Sequence, residues 1–142
     1  MDEKIAITVK DLMNKFSLQL IAGLNQVHRK ITQPKIHRPG LEFVGYFDFF
    51  PMERVQVLGK KEITYLHTLS EEERKLRVGN IVNYHPPCFI VTEGQEGLTN
   101  LTQFCNEEGI PLLYTEKDTS EFISRVNAYL AKTLADEMTI HG

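Results

Sequence analysis

From Cys88 onward, apolar runs and helical periodicities alternate, an order that few architectures accommodate. Cys88-Phe89-Ile90-Val91 is a continuous apolar run, the pattern of a strand covered on both faces. Leu98, Leu101 and Phe104 then recur at helical spacing, with Gly109 as a stop signal and Pro111 just beyond it. Leu112-Leu113-Tyr114 reads as the next strand. Thr119 or Ser120 then caps a helix with Ile123, Val126, Leu130 and Leu134 along its inner face. Strand-helix-strand-helix order implies parallel strands joined by a right-handed crossover. The fold class read from this pattern is α/β: a layered domain with a mainly parallel sheet flanked by helices, and some irregular strands from the first half.

The first half is less regular. Thr8-Val9-Lys10-Asp11 has the spacing of a capping box, and Val9, Leu12, Met13 and Phe16 follow at helical intervals. Leu18 to Ala22 reads as a strand ending at Gly23, Val27 to Thr32 as a more exposed strand, and Val55 to Leu58 as a strand closed by Gly59. Arg38-Pro39-Gly40 has the chemistry of a type II turn, in which Pro presets φ and Gly takes a positive φ. Ser70 caps a helix that opens on Glu71-Glu72-Glu73 and continues through Arg74, Lys75 and Arg77, acid first and base later, as the helix dipole favours. Three adjacent carboxylates fan around a helix rather than converging, so they mark a helix start and not an acid-base site. Tyr46-Phe47-Asp48-Phe49-Phe50 leaves two readings open: a core strand with one turn residue, or rings held for another domain or subunit.

Composition bounds the function classes. The chain has 142 residues, 42% of them hydrophobic and 25% charged, which suits one globular domain with a core of its own. Two cysteines, far apart, form neither a C-x-x-C pair nor a secretory disulfide framework. Met1-Asp2-Glu3-Lys4 lacks the basic start of a signal peptide, and no apolar run has bilayer length, so the expected localisation is cytoplasmic. A net charge of −3 argues against nucleic-acid and anionic-membrane partners. His28-Arg29-Lys30, Lys35 and His37-Arg38 form a local basic segment, which reads first as a solvated surface.

Candidate chemistry is sparse. Thr92-Glu93-Gly94-Gln95-Glu96-Gly97 links a buried strand to a helix, where phosphate-cradling loops occur. It lacks the Gly-Lys-[Ser/Thr] ending of a P-loop, its glutamates repel phosphate, and no G-x-x-x-x-G-K-[S/T] match exists in the chain. It reads as a plain strand-to-helix turn. His28, His37, His67, His85 and His141 show no metal-site spacing, so no metal or cofactor residues are assigned. Cys88, in apolar company, reads as an inert thiol.

The stretch from Arg38-Pro39-Gly40-Leu41-Glu42-Phe43-Val44-Gly45-Tyr46-Phe47, through Phe50-Pro51-Met52-Glu53-Arg54-Val55-Gln56-Val57-Leu58-Gly59-Lys60 to Glu62, resembles the amino-terminal domain of bacterial HPr kinase/phosphorylase. Val9-Lys10-Asp11-Leu12-Met13 and Thr139-Ile140-His141-Gly142 fit the same family at the two ends. The resemblance implies a two-domain parent enzyme that phosphorylates and dephosphorylates a serine of the phosphocarrier HPr in carbon catabolite regulation. It further implies ATP or pyrophosphate as donor, Mg²⁺ as cofactor, and a homohexamer built largely through the carboxy-terminal domain. It also implies a fold similar to the uridine-nucleotide-binding domain of Mur ligases. One catalytic residue carries over, His141, whose counterpart lies beside the P-loop phosphates of the family.

These readings converge on one expectation and one rival. Residues 1–134 are expected to form the amino-terminal domain and residues 135–142 to begin the linker into an absent P-loop domain. The chain alone is then catalytically silent, since phosphoryl transfer needs a phosphate cradle, its lysine and a metal set. The rival is a stand-alone interaction or ligand-sensing module of the same fold, with the basic segment and the aromatic run as its contact surfaces. Uridine-nucleotide binding is a weaker third idea, resting on fold analogy alone.

Overall fold

The computed structural model describes residues 7–95 and 98–141, with the side chains of residues 7–95 and 98–136. Ile7–Thr8 (β1) leads into helix α1, Val9–Phe16. The capping box read from sequence is present: the Asp11 amide donates to Thr8 Oγ1 at 3.1 Å and the Thr8 amide donates to Asp11 Oδ2 at 2.9 Å. Strand β2, Gln19–Ala22, follows, and β3 is only Lys30–Ile31, shorter than the strand expected from Val27 to Thr32. It pairs antiparallel with β1 as a separate two-stranded ribbon. Strand β4 is Gln56–Leu58 and is followed by α2, Lys60–Thr68, and α3, Glu71–Val82. Strand β5 (Phe89–Val91), α4 (Thr99–Glu108), β6 (Leu112–Tyr114) and α5 (Thr119–His141) complete the chain.

The main sheet has the order β2-β6-β5-β4. The β4/β5 and β5/β6 pairs are parallel, with Val57 opposite Ile90 and Ile90 opposite Leu113, while β2 joins β6 antiparallel. The architecture is thus α/β with a mixed, mainly parallel sheet, as the alternation from Cys88 predicts. Both faces of the sheet are covered. On one, Val57, Ile90 and Leu113 pack with Leu12 of α1 and with Phe122, Val126 and Leu130 of α5. On the other, Leu58, Phe89, Val91 and Leu112 pack with Ile63 and Leu66 of α2, Ile81 of α3, and Leu101 and Cys105 of α4. Each such side chain, fully removed from water, contributes about 1.5–3 kcal/mol. This two-sided burial is why β5 reads as an unbroken apolar run.

Three local readings are corrected and one helix is added. Leu41 to Phe50 contains no strand; Leu41–Val44 is a 3₁₀ turn, closed by Gly45 at φ 96°. Nor is Arg38-Pro39-Gly40 a type II turn, because Gly40 has φ −144° and serves as the cap of that 3₁₀ turn. The cap of α5 is Asp118, whose Oδ2 accepts the Glu121 amide at 3.0 Å, so neither Thr119 nor Ser120 holds that place. Helix α2 has no counterpart in the sequence reading: it buries only Glu62, Ile63 and Leu66, too few for a visible stripe. By contrast Ser70 caps α3 as read, accepting the Glu73 amide at 3.1 Å, and Gly109 ends α4 at φ 71°.

Candidate functional site

In open α/β sheets, ligands gather beyond the carboxyl ends of the parallel strands. Here β4 ends at Leu58, just before Gly59, and β5 ends at Val91, just before Thr92-Glu93, and the starts of α2 and α5 meet at the same edge, where Gly59 lies against Thr119. The chain's own carboxylates fill it. Glu62 Oε1 accepts the Gly59 amide at 2.7 Å and Arg38 Nη2 at 2.9 Å, while its Oε2 accepts Arg38 Nε at 3.2 Å. Glu93 Oε2 takes the Lys60 amide at 3.1 Å. Thr92 and Thr119 meet hydroxyl to hydroxyl at 2.6 Å. A side chain at Gly59 would place its Cβ 2.6 Å from Thr119 Oγ1 and 3.0 Å from Arg38 Nη2. The amides at the start of α2 that would hold a phosphate therefore hold Glu62 and Glu93 instead.

The loop after β5 agrees. Glu93 and Gly94 are both left-handed, at φ 61° and 62°. The Glu93 and Gly94 amides donate to the carbonyls of Lys117 and Thr115, so they point into the protein. Glu96 and Gly97 of the loop lie outside the described residues.

The remaining titratable candidates are mostly in structural contacts. His85 Nδ1 lies 2.9 Å from the Asn83 carbonyl and its Nε2 lies 3.1 Å from Glu108. His37 Nε2 lies 3.2 Å from Glu42 Oε1. His67 sits on α2 and His28 in the exposed segment before β3. His141 is the last residue of α5, and its side chain lies outside the described residues. Burial pushes the Cys88 thiol up to about 12, against the partial opposition of the Arg29 charge; burial first, then the nearby Cys88, pushes Cys105 up to about 12 as well. Neither is a nucleophile near neutral pH. Among the described residues, no group of three His, Cys, Asp or Glu side chains could hold a metal ion. These residues thus fit neither a Mg²⁺ site nor a phosphate cradle.

The most distinctive surface is the aromatic loop. Phe47 stacks on Tyr84 with centroids 4.7 Å apart, and Phe50 meets the same ring edge-on at 5.2 Å. The inner rings of the run thus cover the end of α3. Tyr46 and Phe49 are 48% and 97% exposed, so the run is no core strand: Phe47 and Phe50 pack inward from a loop while the other two rings face outward. Beside the loop, Arg29, Lys30, Met52, Tyr84 and His85 line a concavity of about 370 Å³. This joins the basic segment and the aromatic loop in one surface. Arg29 is itself largely committed, its Nη2 donating to the His85 and Pro86 carbonyls at 2.9 Å each. Tyr84 and the Arg38–Glu62 pair were not singled out from sequence. The only available signal was that Glu62 stands three residues after Gly59, the spacing of a helix-start carboxylate.

Comparison with known proteins is decisive for family. A match to the family described as HPr Serine kinase N terminus covers residues 7–130. "Putative HPr kinase/phosphorylase 2" of Oceanobacillus iheyensis is 57% identical over 137 residues, covering 96% of this chain and 45% of that protein. The HPr kinase/phosphorylase of Bacillus cereus is 38% identical over 136 residues, covering 96% of this chain and 44% of that protein. The chain therefore spans somewhat less than half the length of these relatives. With an α/β fold of the expected kind and a matched segment running from β1 into α5, the chain belongs to the HPr Serine kinase N terminus family.

Proposed function

We propose that this chain is the amino-terminal, regulatory or assembly part of a bifunctional kinase/phosphorylase that acts on a serine of the phosphocarrier HPr. In that reading the whole protein works in the cytoplasm as a homohexamer, uses ATP or pyrophosphate with Mg²⁺, and serves carbon catabolite regulation. Residues 1–134 are the domain proper. Residues 135–142 lead toward the catalytic half, where His141 would approach the phosphates and hydrogen-bond them or move a proton. Such chemistry needs a cradle and a lysine that this segment does not supply.

One observation carries the reading: the match takes in 96% of this chain but only 45% of its relative from Oceanobacillus iheyensis. The self-filled strand edge, with Glu62 and Glu93 on the amides of Gly59 and Lys60, supports the catalytic silence of the segment. The test is phosphoserine formation on HPr, with ATP or pyrophosphate and Mg²⁺, by the 142-residue chain and by a form extended to the length of that relative. Only the extended form is expected to label HPr. Turnover by the 142-residue chain overturns the assignment of silence.

The outward rings Tyr46 and Phe49 favour a second reading, a stand-alone interaction or ligand-sensing module. The coding sequence after Gly142 separates the two. A strand and G-x-x-x-x-G-K-[S/T] within a few tens of codons supports the kinase reading, and a stop codon supports the module.

A further inference from the structure

Among the described residues ten large apolar or aromatic side chains are exposed, and six of them fall in one place: Leu41, Val44, Tyr46, Phe49 and Met52 of the aromatic loop, and Tyr84 beneath it. The loop is folded rather than loose. The Tyr46 amide donates to the Leu41 carbonyl at 3.0 Å, the Phe50 amide to that of Phe47 at 3.0 Å, and the Met52 amide to that of Phe50 at 2.9 Å. With Phe47 and Phe50 packed on Tyr84, the remaining apolar side chains of the loop are left on its outer surface. Phe49 is the extreme case. Its φ of 64° lies in the left-handed region, where a bulky residue is strained and glycine is not. Almost wholly in water, the ring gains nothing inside the chain that offsets this cost.

These six side chains expose about 700 Å², more than the largest patch usual on a monomer and close to the roughly 800 Å² that each partner of a stable complex buries. Complementary features lie on the same chain. Beside Met52 and Tyr84 is the hollow of about 370 Å³, with volume for an aromatic ring and with Lys30 exposed at its rim. Phe49 is the projecting ring, and its neighbour Asp48 is an exposed carboxylate. The other charges around the hollow are engaged: Arg29 on the His85 and Pro86 carbonyls, His85 on Glu108, and Glu53 with Gln33. We propose that two copies of this chain pair through the aromatic loop about a two-fold axis, Phe49 of each seated in the hollow of the other with Asp48 beside Lys30. A two-fold contact sets residue i against j and j against i, so a ring and a hollow, or an anion and a cation, on one surface satisfy each other twice. An aromatic ring that fills a pocket beside a cation is also the kind of contact that dominates interface energy. The pairing goes beyond the kinase reading and holds whether or not that reading does.

Sedimentation equilibrium of the 142-residue chain tests the pairing. The 16.3 kDa chain is expected to weigh as a dimer at about 100 μM and as a monomer at about 1 μM. Phe49→Gly removes the ring and suits the left-handed backbone, so the circular dichroism spectrum should stay that of the folded chain. Its dimer dissociation constant is expected to rise at least about thirtyfold, the effect of losing a residue that dominates an interface. Thr32→Arg, which fills the hollow from its wall, is expected to weaken the dimer in the same way. A chain that stays monomeric at about 1 mM, or a dimer of unchanged affinity in either variant while that variant is folded, overturns the pairing. Because the chain has no tryptophan, Phe49→Trp supplies a single indole whose emission should move to shorter wavelength as dimer forms. If that indole is shielded only in a form extended to the length of the Oceanobacillus iheyensis relative, while the 142-residue chain is monomeric, the patch belongs to the catalytic half and the pairing is overturned.

Discussion

At Gly59 a single added methyl group meets three atoms at once, because the Arg38 guanidinium, the Thr119 hydroxyl and the Thr119 methyl all lie within 3.0 Å of where a Cβ would stand. Gly59→Ala is therefore expected to cost about 1–3 kcal/mol, an overpacking penalty readable as a lower urea midpoint at unchanged slope. The buried thiols make a second prediction. With the folded values of Cys88 and Cys105 pushed up to about 12, the unfolded chain releases these protons first as pH rises. Their contribution to stability is thus full below about pH 8.5, the ordinary thiol value, and is lost progressively as pH climbs toward the folded values. Urea midpoints measured from about pH 7 to pH 10 should fall, and Cys88→Ala should flatten part of that fall. The inertness of Cys88 was legible from its apolar neighbours. The role of Glu62 was not, since the partner that explains its burial, Arg38, stands 24 residues away.

At the scale of the element, the helices that announced themselves did so by their ends. Thr8 and Asp11, Ser70 and Gly109 sit where a free amide or carbonyl needs a partner, a local demand that sequence states directly. Ser70→Ala removes the acceptor for the Glu73 amide and is expected to cost about 1 kcal/mol, measured by thermal or urea unfolding, with Ser70→Asp retaining most of the stability. Elements shaped by distant contacts were harder to read. The aromatic run from Tyr46 is apolar enough to be read as a strand, but the Glu42 carboxylate on the Gly40 amide and the left-handed Gly45 turn the backbone before it can extend. Phe47 and Phe50 then find Tyr84, at the end of a helix that follows in sequence.

For the whole molecule, the β-α-β-α order from Cys88 implied a layered α/β domain, and the parallel β4/β5/β6 core with helices on both faces bears that out. The antiparallel β2 at the sheet edge was not evident, since a short apolar run does not state its direction. Of the candidate site, sequence offered only the strand-to-helix loop after β5; that Glu62 and Glu93 accept the Gly59 and Lys60 amides at the neighbouring strand end depends on contacts that form only in the assembled fold. Calorimetric titration of pyrophosphate and of ATP, each with Mg²⁺, into the 142-residue chain tests this most directly. No saturable heat at ligand concentrations up to about 1 mM, the weak limit of specific small-ligand binding, is the predicted result. Saturable binding that weakens on Lys60→Ala, or that displaces Glu93 from the Lys60 amide, would contradict it.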